Sequence, residues 1–213
     1  MAELDALASR LYPLSPYRRR RLRKLQALAL PLDRVIYLDV DIILFRDFKP
    51  VFECLSPGKT DFIIASTSDD YVYNESKSQH EFLRGAKLFS DGFFLTSRKI
   101  LSLHDFHDVV DHSEKLFHSI RKRGGLYAQP FVNFVVHRRD LRVKSLSECL
   151  PAASDETFYK AKGIEIRSDG PVDCLGHEIY FAHWAGAVTL PRGRSFDDIW
   201  QRHAKGAAAR MKP

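Results

Sequence analysis

The sequence predicts an α/β fold, because strand-like apolar runs alternate with helix-like segments along most of its 213 residues. The clearest strand signal is residues 34–45, a stretch rich in β-branched and aromatic residues. Segments with apolar residues at helical spacing stand on both sides of it, at 17–30 and 97–122. A chain of this length can bury a hydrophobic core, and its 45% of hydrophobic and 28% of charged residues are ordinary for a folded protein.

The first part of the chain contains two predicted helices and two predicted strands. Residues 2–11 have an amphipathic pattern, and residues 17–30 form a second helix that ends at Pro31. Residues 35–38 and 42–45 are apolar on both faces, which favours buried parallel strands over half-exposed ones. We therefore expect both runs inside a sheet.

The rest of the chain continues the alternation. The predicted strands are 61–66, 89–96 (a strand, a turn and a strand), 142–146 and 178–182, and the predicted helices are 97–122, 128–137 and 195–210. Residues 67–82 are polar and loop-like, and residues 151–177 follow no single pattern. No internal repeat or linker divides the chain, so we expect one domain over residues 1–213.

Composition excludes several other classes. Three scattered cysteines, Cys54, Cys149 and Cys174, form neither a disulfide framework nor a zinc ribbon, and the odd count favours a reducing compartment. No apolar run approaches the ~20 residues that span a bilayer. The start of the chain lacks the apolar segment of a signal peptide. We therefore expect a cytoplasmic protein without a membrane span.

A basic cluster accounts for much of the net charge of +6. Residues 18–24 read RRRRLRK, and such a cluster attracts polyanions, anionic membranes or phosphorylated ligands. Either the cluster is a solvated helix face or it contacts one of these partners, with peripheral membrane contact among the options. Nucleic-acid binding is not favoured, because no helix-turn-helix, zinc-finger or RNP-type motif accompanies the cluster.

Asp39 and Asp41 follow the first strand-like run. In an extended strand, residues two apart point to the same face, so the two carboxylates converge. Burying two like charges is costly unless a cation neutralises them, and Mg²⁺ or Mn²⁺ is the natural partner of carboxylate oxygens. Ligands of open α/β sheets bind at the carboxyl ends of strands, where this pair lies. The alternative is a strand-end turn with two solvated aspartates.

His183 is the second candidate metal ligand, directly after the apolar run at 178–182. A neutral imidazole at a strand end can bind a metal ion. Gly186 follows closely, and a glycine lets backbone N–H groups approach phosphate oxygens. A histidine in this position can equally be a structural residue whose hydrogen bonds are satisfied within the fold.

Four stretches, in order, resemble retaining GT-A glycosyltransferases of the glycogenin and bacterial lipopolysaccharide galactosyltransferase type. DRVIYLDVDIILFRDFKPVFE at 33–53 is similar to the metal-binding Asp-x-Asp segment of that family. FSDGFFL at 89–95 resembles the family's turn at the donor-sugar site. QPFVN at 129–133 resembles its Asp-Gln-x-x-x-Asn helix start. HWAG at 183–186 resembles the start of its His-x-x-Gly-x-x-Lys-Pro-Trp loop. The resemblance covers residues 17–200, with 1–16 and 201–213 as terminal segments.

The resemblance implies a fold and an activity. The fold would be a single GT-A-like, Rossmann-like domain with a central mixed, mostly parallel sheet. The activity would be metal-dependent transfer of a sugar from a nucleotide-diphosphate sugar, by family habit a UDP-sugar, with retention. The acceptor class (carbohydrate, lipid-linked or protein) stays open.

The same resemblance implies roles for individual residues. Asp39, Asp41 and His183 would ligate Mn²⁺ or Mg²⁺ that bridges the donor diphosphate, and Gln129 would be the catalytic residue that faces the anomeric carbon. Arg23 is the best match for a basic residue that contacts the donor from the helix before the Asp-x-Asp strand. The remaining donor-binding residues would be Val40 within the Asp-x-Asp motif, Ser90, Asp91 and Gly92 in the sugar pocket, and Gly186 and Arg192 at the phosphates.

The sequence departs from the family pattern at several places. Ala128 stands where the family usually has Asp, Asp91 replaces a small neutral residue, and the Lys-Pro-Trp end of the last motif is absent. The family's nucleotide-binding strands precede the metal-binding segment, which this chain reaches at Asp39. We therefore expect an N-terminally truncated fold that lacks roughly two βα units of ~30 residues each.

Two other interpretations stay open. A truncated, catalytically impaired GT-A-like protein or a basic interaction module fits the early Asp39 and the presence of Ala128. A phosphatase of the haloacid dehalogenase type also has Asp-x-Asp after an apolar strand near the N-terminus. That class needs a later acidic pair at a strand end, whereas residues 69–70 follow no strand-like run, and it has no use for His183.

Overall fold

A computed structural model of the chain describes residues 2–11, 16, 22–30, 32–56, 58–65, 67, 85–97, 104, 105, 107, 128–155, 157–185 and 196–210. The chain divides into two compact units, each built from two stretches of sequence. Unit 1 comprises Met1–Tyr37 and Phe52–Ser145, and unit 2 comprises Leu38–Val51 and Leu146–Pro213. That residues 1–213 act as one glycosyltransferase-like domain stays a prediction.

Helices and strands alternate along the described residues, which confirms the predicted α/β class. In chain order, the elements are α1 (Ala2–Leu11), a 3-10 helix (Leu22–Ala29), β1 (Arg34–Leu38), β2 (Ile42–Leu44), α2 (Lys49–Glu53), β3 (Phe62–Ile64), β4 (Phe93–Ser97), α3 (Ala128–Arg138), β5 (Val143–Ser145), α4 (Leu146–Cys149), β6 (Thr157–Phe158), β7 (Glu165–Arg167), β8 (Gly170–Val172), β9 (Phe181–His183) and α5 (Asp197–Arg210).

The sheet of unit 1 has four strands in the order β1–β4–β3–β5. Its most buried strand is β3, in which Phe62, Ile63 and Ile64 have no exposed surface. β3 pairs antiparallel with β4, Phe62 opposite Thr96, and parallel with β5, Phe62 opposite Val143. An all-apolar strand between two neighbours is covered on both faces, which is why the sequence predicts it well.

The core of unit 1 lies between this sheet and three helices, α1, the 3-10 helix and α3. Phe131, Val132 and Val135 of α3 pack in one cluster with Leu22 and Leu25 of the 3-10 helix. The cluster also contains sheet residues, and its other fully buried aromatic members are Phe62, Phe89 and Phe94. Each such side chain contributes about 1.5–3 kcal/mol on burial, so this cluster supplies much of the unit's stability.

The sheet of unit 2 has three strands in the order β2–β9–β6. β9 pairs antiparallel with β2 and parallel with β6. Ile42 of β2 and Phe158 of β6 are the partners of His183 on either side. A separate hairpin joins β7 and β8 antiparallel, with Arg167 opposite Gly170. His183 therefore lies in the middle strand of its sheet.

Aromatic side chains form the core of unit 2. Trp184 packs against Trp200 with ring centroids 4.8 Å apart, and against Phe196 at 6.2 Å. Tyr159 also stacks on Trp184, with ring centroids 6.4 Å apart. The cluster follows His183 directly in sequence, so the strand that carries the histidine is anchored by its next residue.

Two predictions for the segment at 35–45 are wrong. The runs are not covered on both faces, since Val35 is buried but Leu44 is 45% exposed. β2 pairs antiparallel with β9, so the parallel pairing expected for the second run is wrong, whereas the mixed sheets of the α/β class are as predicted. Within the described strand orders, β1 and β2 each stand at an end, where fewer neighbours cover a strand.

Most other predicted elements are confirmed where the structure describes them. The helix expected at 17–30 is a 3-10 helix over Leu22–Ala29, and the first strand expected within 89–96 is only an isolated bridge at Phe89. Helices α1, α3 and α5 and strands β3, β4 and β5 occur within a few residues of their predicted positions. The strand predicted at 178–182 begins later, at Phe181, and includes His183. Residues 17–21 and nearly all of 97–122 lie outside the described residues. Among the helices that are described, none is long and apolar enough to cross a membrane.

Candidate functional site

A turn and a strand pairing bring the two aspartates to His183. The backbone N–H of Ile42 donates to the carbonyl of Asp39 at 3.3 Å, which closes a turn between β1 and β2. The backbone N–H of Trp184 donates to the carbonyl of Asp41 at 2.9 Å, and Ile42 lies opposite His183 in the β2–β9 register. Local turn chemistry and long-range pairing together assemble the cluster within unit 2.

The convergence of Asp39 and Asp41 was predicted correctly, but the backbone conformation assumed for it was wrong. An extended strand was expected, whereas Val40 and Asp41 lie in a turn. Val40 is fully exposed at its tip, with a relative exposure of 101%. A hydrogen-bonded turn reverses the chain, so it directs two nearby carboxylates to one side as effectively as the two-residue period of a strand.

The three ligand atoms lie close together and differ in burial. His183 Nε2 lies 3.2 Å from Asp41 Oδ1 and 3.9 Å from Asp39 Oδ2. The imidazole is 4% exposed, whereas the side chains of Asp39 and Asp41 are 29% and 36% exposed. Within the described ranges, these three residues are the one group of three or more His, Cys, Asp or Glu side chains that could hold a metal ion.

The predicted sugar-pocket residues lie in unit 1, at the start of β4. Ser90 Oγ accepts a hydrogen bond from the backbone N–H of Gly92 at 3.4 Å, and Gly92 is buried. Asp91 is 8% exposed, and its Oδ2 lies 2.8 Å from Lys24 Nζ. Lys24 Nζ also donates to the carbonyl of Asp91 at 3.3 Å and lies over the ring of Tyr37. The acid that departs from the family pattern is thus neutralised by an adjacent cation.

Lys24 is a residue that the sequence analysis missed. The predicted donor contact, Arg23, is 53% exposed at its side chain and pairs with Asp5 of α1, Nε to Oδ1 at 3.5 Å. Lys24, its neighbour, is the cation that turns towards the sugar-pocket turn. The spacing of Leu22 and Leu25 indicates which face of the helix is buried, but Arg23 and Lys24 flank this face on opposite sides, so no local signal distinguishes them.

Gln129 lies in the first turn of α3, and its side chain is half-buried. Its carbonyl accepts a hydrogen bond from Asn133 Nδ2 at 2.9 Å. Ala128, which replaces the usual carboxylate, is 1% exposed. The other two predicted donor-binding residues, Gly186 and Arg192, lie outside the described residues.

The sequence matches no protein-family model and no curated protein. Solved structures do match. Galactosyltransferase LgtC in complex with donor and acceptor sugar analogs is 15% identical, with a TM-score of 0.51, over 86% of this chain and 66% of LgtC. An active-site mutant of LgtC is 14% identical, with a TM-score of 0.52, over 88% and 67%. The apo-form glycosyltransferase GlyE of Streptococcus pneumoniae TIGR4 is 13% identical, with a TM-score of 0.49, over 90% and 44%.

This chain therefore has a GT-A-type glycosyltransferase fold, and it spans about two thirds of the length of LgtC. The likeness at 14–15% identity concerns the fold.

Proposed function

We propose that this chain transfers a sugar from a nucleotide-diphosphate sugar, with a divalent cation bound by Asp39, Asp41 and His183. The observation that carries the proposal is the clustering of these three side chains on a GT-A-type fold. A haloacid dehalogenase phosphatase would have no use for the histidine in this cluster.

The donor set fits a divalent cation. His183 Nε2 and Asp41 Oδ1 lie 3.2 Å apart, close to the ~3 Å between adjacent ligands of a six-coordinate ion with bonds of ~2.1 Å, and all three ligand atoms lie within 4.8 Å of one another. Two carboxylates satisfy a hard cation, and an imidazole favours Mn²⁺ over Mg²⁺, which prefers oxygen ligands. Mn²⁺ is therefore our first choice and Mg²⁺ the second.

When bound, the cation would neutralise the negative charge that develops on the departing nucleoside diphosphate, a UDP in our proposal. Asp39 and Asp41 supply the charge that retains the cation, and buried His183 supplies a neutral ligand that does not swing into solvent. Gly186 and Arg192 would contact the phosphates from the segment after β9.

By the same resemblance, Ser90, Asp91 and Gly92 would bind the donor sugar. Ser90 and Asp91 offer a hydroxyl and a carboxylate to sugar hydroxyls, and Gly92 lets the backbone approach the ring. Lys24 holds the Asp91 carboxylate in one orientation at 2.8 Å. Gln129 would present its amide dipole to a centre that becomes oxocarbenium-like, which is compatible with retention of configuration.

The test is Mn²⁺-dependent release of UDP from a panel of UDP-sugars, together with Mn²⁺ binding in the absence of donor. Both tryptophans of the chain, Trp184 and Trp200, lie in the cluster that follows His183, so quenching of their fluorescence reports Mn²⁺ binding directly. We expect Asp39→Asn and His183→Ala each to weaken Mn²⁺ binding and to abolish UDP release.

The chain offers a matched control in unit 2. His177 Nδ1 lies 3.2 Å from Asp173 Oδ2, the same separation as in the candidate cluster, in a His–Asp pair outside it. His177→Ala should bind Mn²⁺ and release UDP like the wild type. If the protein bound Mn²⁺ and UDP but released no UDP from UDP-sugars, it would be a nucleotide-binding protein of this fold and not a transferase. Absence of Mn²⁺ binding would sink the proposal at its metal site.

A further inference from the structure

A partly exposed aromatic ring lies beside the buried histidine of the candidate metal cluster. Phe158 of β6 stacks on His183 with ring centroids 5.9 Å apart and an angle of 20° between the planes. The two residues are direct partners in the parallel pairing of β6 with β9. The backbone N–H of Tyr159 donates to the carbonyl of His183 at 3.0 Å, which fixes the two strands beside each other.

Phe158 is partly exposed, whereas the imidazole beside it is buried. Its relative exposure is 42%, yet the imidazole beneath it is 3% exposed as a residue. Single exposed apolar residues are ordinary on a protein surface, so the exposure alone indicates no role for Phe158. Its contact with His183 does, because an offset-stacked ring favours one orientation of its partner.

Orientation matters for this imidazole because one nitrogen must face the carboxylates. Nε2 lies 3.2 Å from Asp41 Oδ1, so a rotation of the ring would remove it from the cluster. The groups that hold a metal-binding histidine in place typically contribute 10–100-fold to metal affinity.

We propose that Phe158 is a positioning residue for His183: its ring stacks, offset, on the imidazole and keeps Nε2 directed at Asp39 and Asp41. The inference rests on the proposed function, since it assigns a partner to a ligand of the proposed metal site. It goes beyond that function because Phe158 carries no ligand atom and acts through stacking.

The first measurement needs no metal ion. The protein would be labelled with ¹³C at its nine histidines, and the His183 ring signal would be assigned by its loss in His183→Ala. In Phe158→Ala and Phe158→Leu, removal of the ring current and of the restraint should shift and broaden this signal. Phe158→Tyr keeps the flat ring and should leave it near its wild-type position. An unchanged His183 signal in Phe158→Ala and Phe158→Leu would overturn the inference.

The second measurement is Mn²⁺ affinity, followed by tryptophan quenching. Phe158→Ala should bind Mn²⁺ about tenfold more weakly than the wild type. Phe158→Tyr and the control Ile166→Ala should stay within about twofold, as expected of surface substitutions. Ile166 is an apolar residue of β7 with 51% exposure in the same unit, so its loss tests for a general effect of surface hydrophobicity.

The outcomes separate this inference from the proposed function. Wild-type binding that Asp39→Asn abolishes and Phe158→Ala leaves intact would overturn the role of Phe158 and keep the metal site. Wild-type protein that binds no Mn²⁺ would overturn both. Thermal unfolding of each variant, with the Leu substitution as the conservative alternative to Ala, shows that the compared proteins are folded.

Discussion

The guanidinium of Arg142 binds both carboxylate oxygens of Asp61 in a bidentate pair, with Nε donating to Oδ2 at 2.7 Å and Nη2 donating to Oδ1 at 3.0 Å. The backbone N–H of Arg142 also donates to Oδ2 at 3.1 Å, and the backbone N–H of Asp61 donates to the carbonyl of Arg142 at 3.0 Å. The two residues precede β3 and β5, so their contacts set the parallel register of these strands at its start.

This pair predicts an acid-sensitive contribution to stability. The side-chain hydrogen bonds from Arg142 hold the pKa of Asp61 below its ordinary value, against the opposing effect of burial. A lowered folded-state pKa means that the contribution is present above the unfolded-state value of about 3.9 and is lost as pH falls below it. We expect Asp61→Asn to destabilise the protein at pH 7 by on the order of 1–3 kcal/mol.

The measurement is urea unfolding from pH 7 down to about pH 2.5, which extends below the unfolded-state pKa of Asp61. The difference between wild type and Asp61→Asn should shrink as pH falls through the lower part of this range. Asp33→Asn, which changes an exposed carboxylate in the same unit, should unfold like the wild type throughout. A difference between Asp61→Asn and the wild type that is independent of pH would contradict the prediction.

A second prediction concerns Asn133, a buried amide of α3. Its Nδ2 donates to the carbonyls of Phe89 at 2.8 Å and Gln129 at 2.9 Å, and its Oδ1 accepts from the N–H of Phe89 at 2.9 Å. Asn133→Asp would turn a carboxylate oxygen towards two carbonyl oxygens in a fully buried site. We expect the free energy of unfolding to fall by about 2–4 kcal/mol at pH 7.5. The carboxylate would repel the two buried carbonyl oxygens and leave them without a hydrogen-bond donor.

Acidification distinguishes charge from lost packing at this site. Protonation of the new carboxyl group restores a donor, and burial raises the pKa of such a group, so Asn133→Asp should regain part of its stability at pH 5.5. Asn133→Ala, which cannot be protonated, should show no recovery in the same urea titrations. Equal behaviour of the two variants would refute this explanation.

A third prediction concerns Gly170 at the start of β8. Its φ is +128°, and an added Cβ would lie 3.2 Å from Arg46 Cζ and 3.3 Å from Arg46 Nε. Arg46 is 14% exposed at its side chain, and its Nη1 lies 3.8 Å from Asp169 Oδ2 and 3.7 Å from Glu178 Oε1. Gly170→Ala should therefore cost about 1–3 kcal/mol, from backbone strain together with displacement of the guanidinium.

Gly176 separates the two causes. It also has a positive φ, of +85°, but an added Cβ would meet nothing within 4 Å. Gly176→Ala should thus cost less than Gly170→Ala, because it adds strain without a clash. In an Arg46→Ala background, the cost of Gly170→Ala should fall towards that of Gly176→Ala in thermal unfolding. A cost unaffected by the loss of Arg46 would show that the guanidinium is not involved.

The sequence predicted those elements whose pattern is local. β3 is a run of three buried apolar residues, and α3 has apolar residues at helical spacing, so both were recognised. The convergence of Asp39 and Asp41 was also predicted, because a turn and an extended strand both bring residues two apart to one side. The candidate ligand set, including His183, lies together as the sequence indicated.

Features that depend on distant partners were not predicted. The antiparallel pairing of β2 with β9 joins residues far apart in sequence, and no local pattern specifies its direction. Arg23 and Lys24 flank the face set by Leu22 and Leu25 on opposite sides, so which of them lies beside Asp91 depends on how the helix packs within unit 1 and not on its local pattern. The stacking of Phe158 on His183 likewise follows from the register of β6 against β9, which only the folded chain defines.

The last prediction concerns the ion pair of Lys24 and Asp91, whose side chains are 14% and 11% exposed. Removing one partner leaves the other charge in a nearly buried position, so Lys24→Met and Asp91→Leu should each destabilise the protein by about 3 kcal/mol. The double variant should recover most of this loss, because it buries two apolar side chains instead of one charge. Urea unfolding of the four proteins measures the coupling between Lys24 and Asp91, and additive losses of stability would contradict it.

The double variant also separates stability from donor binding. Because Asp39, Asp41 and His183 are intact in it, it should bind Mn²⁺ and UDP like the wild type. It should bind UDP-sugars more weakly if Asp91 contacts the sugar as proposed. Equal affinity for UDP-sugars in the double variant and the wild type would remove Asp91 from the proposed sugar pocket.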